Sequence, residues 1–208
     1  MAVVDAGLYR RTAGRAGDLR PAVFLDRDGV IVEEVGYLHK VEEITMIPSA
    51  AAAVERLNQA GVPVVVVTNQ AGIGRGYYTW TEFEQVQAEI EARLLPGIVD
   101  GVWACGYHGE GGIGALRQDH PWRKPHPGML LDAAEVLGID LSRSWLIGDK
   151  VIDIECAIGA KLQGAVLVRT GYGADHEPRL ASLPETKCRV LVARDVGDAV
   201  ERCTLRGE

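Results

Sequence analysis

Ala22-Val23-Phe24-Leu25-Asp26-Arg27-Asp28-Gly29-Val30 is the stretch on which the reading of this chain turns. Four apolar residues run into a carboxylate, and a second carboxylate follows two positions later, just before a glycine. An apolar run without alternation is the mark of a strand buried on both faces, as in parallel sheets. Where the strand opens into a loop, Asp26 and Asp28 can reach one solvent-facing pocket, and Gly29 permits a turn with close backbone approach. Paired carboxylates can divide labour, one attacking phosphorus and the other giving a proton to the leaving oxygen. A turn with two solvated aspartates has the same sequence, so the surrounding chain has to decide.

Further apolar runs follow at Val62–Thr68, Gly101–Cys105, Ser144–Asp149 and Ala165–Thr170, with a sixth candidate strand at Arg189–Arg194. Between them, Ser49–Ala60, Thr81–Leu95, Pro127–Leu137 and Asp153–Ala160 carry apolar residues at helical spacing. Ser49 and Thr81 are the expected N-caps, and Gly61 and Gly138 sit where C′ glycines belong. Alternating strands and helices predict an α/β fold: a Rossmann-like, doubly wound, mainly parallel sheet with helices on both faces. The expected organisation is an N-terminal leader at 1–21 and a single domain at 22–208, whose tail holds the sixth strand and a final helix. Only about twenty residues separate Asp28 from Ser49, so no large cap domain is expected.

Composition narrows the class. The chain has 208 residues, 47% hydrophobic and 25% charged, enough for one sizeable core. A formal net charge of -7 disfavours a nucleic-acid partner held by bulk electrostatics. Arg10, Arg11, Arg15 and Arg20 punctuate a leader with no apolar h-region, so neither a secretory signal nor a membrane span is read there. Its two acidic residues, Asp5 and Asp18, argue against a transit peptide, leaving a solvated arm or a packed leader. The four cysteines, at 105, 156, 188 and 203, form no CxxC pair and no disulfide framework. Together these features point to a cytoplasmic protein with no membrane partner.

Open α/β sheets bind ligands beyond the carboxyl ends of their strands. Polar residues gather at those ends here. Thr68-Asn69-Gln70 supplies a hydroxyl and two amides suited to phosphoryl oxygens. Arg123-Lys124-Pro125 offers two cations able to neutralise a transferring phosphoryl group, although such a pair is also common on any surface. Gly148-Asp149-Lys150-Val151-Ile152-Asp153 closes another strand with two carboxylates four residues apart. Asp149 can complete an oxygen-rich Mg²⁺ site. Asp153, in a first helical turn, can hold Lys124 or a metal-bound water, or simply favour its helix N-terminus. Gly72-Ile73-Gly74-Arg75-Gly76 lacks the spacing of a dinucleotide fingerprint and the Gly-Lys-Ser/Thr of a P-loop, and is expected to be a flexible loop over the site.

The order DxDG, hydroxyl residue, Lys, GDxxxD resembles the haloacid dehalogenase-like phosphohydrolases over residues 22–175. The resemblance implies an enzyme, a Mg²⁺-dependent phosphomonoesterase working through an aspartyl-phosphate. It makes Asp26 the nucleophile and Asp28 the general acid and then the base. It further implies Mg²⁺ held by Asp26, the Asp28 backbone carbonyl and Asp149, with Thr68 and Lys124 binding the transferring group and Asp153 in support. Gly36-Tyr37, Thr68-Asn69-Gln70-Ala71-Gly72-Ile73-Gly74-Arg75-Gly76 and Arg123-Lys124-Pro125-His126-Pro127-Gly128 are similar to the subfamily of D,D-heptose 1,7-bisphosphate and histidinol-phosphate phosphatases. This implies that Glu34, Gly36, Tyr37, Asn69, Gln70, Ala71, Arg123 and Lys150 contact a small phosphorylated metabolite.

That subfamily usually carries a zinc loop, Cys-x-His followed by Cys-x-Cys before Arg-Lys-Pro. Here Cys105 is kept, but Tyr107, His120 and Trp122 fill the other slots. Cys105, His108 and His120 supply three candidate ligands where a tetrahedral site needs four, so structural zinc is not expected. The altered loop borders Arg123 and Lys124 and leaves the substrate open among a heptose bisphosphate, histidinol phosphate and other small phosphates. A nucleic-acid 3′-phosphatase is disfavoured by the acidic balance. A non-catalytic phospho-ligand module would not require all three of Asp26, Asp28 and Asp149.

Overall fold

The computed structural model describes residues 3–12 and 19–203. In chain order its elements are β1 (Val3–Asp5), β2 (Leu8–Thr12), β3 (Val23–Leu25), α1 (Ala50–Gln59), β4 (Val64–Asn69), α2 (Ala71–Gly74) and α3 (Trp80–Leu94). There follow β5 (Gly101–Cys105), α4 (Gly128–Leu137), β6 (Trp145–Gly148), α5 (Val151–Gly159), β7 (Gly164–Val168), α6 (Gly173–His176), β8 (Arg189–Ala193) and α7 (Val196–Arg202). All eight strands form one sheet in the order β1-β2-β5-β4-β3-β6-β7-β8. The six from β5 to β8 are mutually parallel, and the β1–β2 hairpin joins β5 antiparallel.

The doubly wound, mainly parallel architecture is the one the alternation of elements predicts. Side chains of the central strands divide by parity. Val23, Leu25, Val64, Val66, Trp145 and Ile147 pack into one core with residues of α1, α3 and α7. Phe24, Val65, Val67 and Leu146 pack into the opposite core with residues of α4 and α5. Burying each such side chain is worth about 1.5–3 kcal/mol, so the central strands are pinned on both faces and their carboxyl ends are rigid. The strand order reverses at β3, which has β4 on one side and β6 on the other. That reversal opens the crevice where such sheets bind ligands. Between β3 and α1 the only helical element is a 3-10 turn at Val41–Glu43, and no cap domain intervenes.

Several local details differ from the sequence reading. The leader contributes strands, and it anchors to the body through ion pairs from Arg10 to Asp132 at 3.0 Å and from Arg11 to Glu91. Thr79, not Thr81, caps α3: the chain is still extended at Thr79 and already helical from Trp80, so although each threonine has an acid three residues on, only Thr79 closes a reciprocal capping box, with Glu82. Ser49 precedes α1 but does not cap it; its hydroxyl accepts from the Gly197 amide in the first turn of α7. Gly138 closes α4 in the left-handed conformation, φ 65°, as expected. The glycine-rich run is no open loop. Gly72, Ile73 and Gly74 are buried in α2, and a Cβ on Gly74 would lie 2.2 Å from the Gly106 carbonyl oxygen.

Candidate active site

Asp26 stands one residue beyond β3, and its amide donates to the Ile147 carbonyl of β6 at 2.9 Å. Its Oδ1 accepts from the Arg27 amide at 2.8 Å, and its Oδ2 lies 2.9 Å from Lys124 Nζ. Lys124 is 2% exposed, and its ammonium also meets Asp153 at 2.6 Å and the Val67 carbonyl at 2.9 Å. Burial alone would lower its pKa, but Asp153 and Asp26 outweigh burial and hold it above the ordinary lysine value. The Lys124 backbone is fixed by both amide atoms of Asn69, which exchange two hydrogen bonds with it at 3.0 Å.

Asp28 is held by Arg27, whose Nε and Nη2 donate to it at 3.0–3.2 Å, and by Gln70 Nε2 at 3.1 Å. Gln70 is a fully engaged buried hub. Its amide nitrogen also donates to Thr68 Oγ1 at 2.8 Å, and its carbonyl accepts from Tyr78 Oη and Arg27. Because Thr68 Oγ1 takes that bond as acceptor, the hydroxyl proton is left for another partner.

Asp149 lies beneath the crevice floor, fully buried after β6. Its Oδ2 accepts from the Tyr172 amide at 2.9 Å, whereas its buried Oδ1 makes no hydrogen bond. Burial, and then the charge of Asp26, push its carboxyl up to about 7. Gly29 (φ 82°) and Gly171 wall this carboxylate: a Cβ on either would stand 2.3 Å from Oδ2. Among the described residues, Asp26, Asp149 and Asp153 are the one group of three or more potential metal ligands, each offering an oxygen within 4.8 Å of the others. A buried carboxylate oxygen without a partner, in an all-oxygen donor set, fits a small hard divalent cation such as Mg²⁺.

A cavity of about 370 Å³ opens over these groups. Asp26, Asp28, Glu34, Gly36, Tyr37, Thr68, Asn69, Gln70, Ala71, Arg123, Lys124 and Lys150, all expected at the site, line it together. Asp149 and Asp153 support it from below. Lys150 pairs with Glu34 at 2.8 Å, and Glu34 also accepts from the Gly36 amide, so the loop after β3 is tied to the loop after β6. Arg123 donates to the Tyr107 carbonyl at 3.0 Å.

Cys105, His108 and His120 are not gathered around a common point. Burial pushes the Cys105 thiol up to about 12. His120 stacks on Tyr107 at 4.6 Å, and each histidine's Nδ1 accepts a backbone amide. Sequence reasoning missed Arg27, Tyr78, Tyr172, Arg75 and the cavity-lining position of His108. Arg27 was legible only as the spacer in DxD, and Arg75 only as part of a glycine run.

Comparison with known proteins agrees with this geometry. Residues 23–93 match the haloacid dehalogenase-like hydrolase family, and residues 121–199 match a second profile of HAD-like hydrolases. The D-glycero-beta-D-manno-heptose-1,7-bisphosphate 7-phosphatase of Escherichia coli K12 is 42% identical over 73% of this chain and 80% of its own length. The protein of the same name from Mesorhizobium japonicum is 46% identical over 73% of this chain and 74% of its own. Among solved structures, a HAD-like protein from Mesorhizobium loti superposes with a TM-score of 0.86 at 35% identity, covering 100% of this chain and 98% of that one. The D,D-heptose 1,7-bisphosphate phosphatase from B. bronchiseptica, complexed with magnesium and phosphate, gives 0.75 at 29% identity, covering 88% and 97%. The chain therefore belongs to the haloacid dehalogenase-like hydrolases. Within that family it is a phosphatase.

Proposed function

We propose that this enzyme is a Mg²⁺-dependent phosphomonoesterase that forms an aspartyl-phosphate on Asp26 and acts on a small sugar phosphate such as D-glycero-D-manno-heptose 1,7-bisphosphate. The observation that carries the reading is Lys124, buried between Asp26 and Asp153, with the buried Asp149 of the same carboxylate cluster keeping one oxygen without a hydrogen bond. Asp26 attacks phosphorus, while Lys124 and the Thr68 hydroxyl bind the equatorial oxygens. Asp28, oriented by Arg27 and Gln70, protonates the leaving oxygen and then takes a proton from the water that hydrolyses the phosphoenzyme. Asp26, the Asp28 backbone carbonyl and Asp149 would hold Mg²⁺, which supplies charge neutralisation between an anionic phosphate and an anionic nucleophile. Asn69 positions Lys124 through its backbone, and Asp153 keeps that lysine protonated.

The names of the relatives support the heptose bisphosphate as substrate. No helix of the described residues is long and apolar enough to cross a membrane, which fits a cytoplasmic enzyme. The test is phosphate release from heptose 1,7-bisphosphate and from histidinol phosphate, each with and without Mg²⁺. Mg²⁺-dependent release from the heptose supports the whole reading. Cleavage of only a generic ester would keep the chemistry and remove the substrate. Asp26→Asn is expected to lower turnover at least about 10³-fold with an unchanged circular-dichroism spectrum, and substantial residual activity removes Asp26 from its role.

A further inference from the structure

The hydrogen-bonding positions of the Gln70 amide are all filled, and the partners decide which way the amide faces. Oε1 accepts from Tyr78 Oη at 2.5 Å and from Arg27 Nη2 at 3.3 Å. Nε2 gives its two hydrogens to Thr68 Oγ1 at 2.8 Å and to Asp28 Oδ2 at 3.1 Å. Turned over, the amide would set its hydrogens against the Arg27 guanidinium, which has no acceptor to offer, and its oxygen against the Asp28 carboxylate. One buried side chain therefore orients two groups that the phosphatase reading places on the substrate. Thr68 is used as an acceptor, so its own proton is free for the transferring phosphoryl group. Asp28 is held by Gln70 as well as by Arg27.

Of the two donors on Gln70 Oε1, Tyr78 makes the shorter bond, and the fold is built to place it. Its side chain is buried, and its ring stacks on His39 with centres 5.4 Å apart and planes within 6°. His39 Nδ1 donates to the Tyr37 carbonyl at 2.7 Å, in the loop that Glu34 ties to Lys150. A Cβ on Gly72 would overlap Tyr78 Cε1, so the first glycine of the glycine-rich run makes room for the ring. The turn that follows is closed by the Tyr77 amide on the Gly72 carbonyl at 2.9 Å and brings the ring back to that glycine. Burial raises the phenol above the ordinary tyrosine pKa, so the hydroxyl stays a donor.

We propose that Tyr78 is a positioning residue: its hydroxyl holds the Gln70 amide, and through that amide it aims Asp28 at the leaving oxygen and the Thr68 proton at the phosphoryl group. The proposal rests on the phosphatase reading of the site and gives a role to a hydroxyl spent on Gln70 rather than on substrate. A phenol that acts through Asp28 matters most where proton donation matters most. Basic leaving oxygens need the Asp28 proton in the transition state, whereas nitrophenolate departs without it.

The experiment compares the wild type with Tyr78→Phe on phenyl, chlorophenyl and nitrophenyl phosphate, with Mg²⁺ present. The quantity read is kcat/KM, which reports the steps up to the phosphoenzyme. Tyr78→Phe is expected to lose about 10- to 100-fold on phenyl phosphate and no more than about 3-fold on nitrophenyl phosphate, with chlorophenyl phosphate between them. In a Gln70→Leu background the same change is expected to cost less than about 2-fold on phenyl phosphate, because the route to Asp28 is already cut. Thermal midpoints establish that the variants are folded. No loss, or an equal loss on all three esters, overturns the proposal and leaves the phosphatase reading standing. So does a Tyr78→Phe cost that is undiminished in the Gln70→Leu background. A wild type inactive on all three esters overturns the phosphatase reading, and the proposal with it.

Discussion

Replacing Asp149 with Asn should make the metal-free protein more stable while removing its response to Mg²⁺. Asp149 has no exposed surface, and one of its oxygens lacks a hydrogen bond. Asp26 and Asp153 crowd it with like charge, and the nearest cation, Lys150, is 3.5 Å away. Its carboxyl is pushed from 3.8 up to about 7, first by burial and then by Asp26. At about 1.4 kcal/mol per pH unit, holding it ionised costs the fold about 4 kcal/mol. The sign follows from linkage. A carboxylate with a raised folded-state pKa lowers stability at and above pH 7, and the penalty shrinks as pH falls from 7 towards 4. An asparagine keeps an acceptor for the Tyr172 amide and carries no charge, so Asp149→Asn should gain about 2–4 kcal/mol in EDTA. Mg²⁺ at a hundredfold excess over its Kd should add about 2.7 kcal/mol to the wild type and little to the variant. Urea unfolding of both proteins at pH 7.5, in EDTA and in Mg²⁺, reads all four values. A variant less stable than the wild type in EDTA, or equally stabilised by Mg²⁺, would refute the reasoning.

Other parts of the structure give equally direct expectations. Lys124→Met should cost about 3–5 kcal/mol in urea unfolding, because Asp153 is then left buried without its cation, and turnover should be lost with it. Gly74→Ala should cost about 1–3 kcal/mol, since its Cβ meets the Gly106 carbonyl; a neutral result would mean that α2 is not locked against the loop after β5. Thr79→Ala should cost about 1 kcal/mol through loss of the α3 cap, whereas Thr81→Ala should stay within about 0.5 kcal/mol. Equal losses at the two threonines, measured by thermal unfolding, would contradict the capping box.

Much of the candidate site was legible in the sequence because it is written in local segments at strand ends. Each apolar run specifies a buried strand, and the residue after it must emerge at the same edge of the sheet. Asp26, Thr68 and Asp149 are therefore implied at that edge before any coordinates, whereas Lys124, in the loop between β5 and α4, follows no strand and was placed there by the family resemblance. The sequence left open whether Asp153 holds Lys124 or favours its helix N-terminus, and the structure shows both, Lys124 at 2.6 Å and the Lys150 amide at 3.0 Å.

What the tertiary structure alone decided is non-local. The leader has ordinary strand periodicity over too few residues to be read, and it becomes two strands because β5 presents an edge for β2 to pair with. Thr79 and Thr81 are both credible caps in sequence, and only the backbone's entry into α3 separates them. Arg75 and His108 lie 33 positions apart, and their contact depends on the packing of α2 against a loop. Sequence determined which chemistry gathers at the sheet's edge, because strand burial is a local pattern. Tertiary structure decided which of those groups pair with one another, because pairing depends on distances between segments remote along the chain.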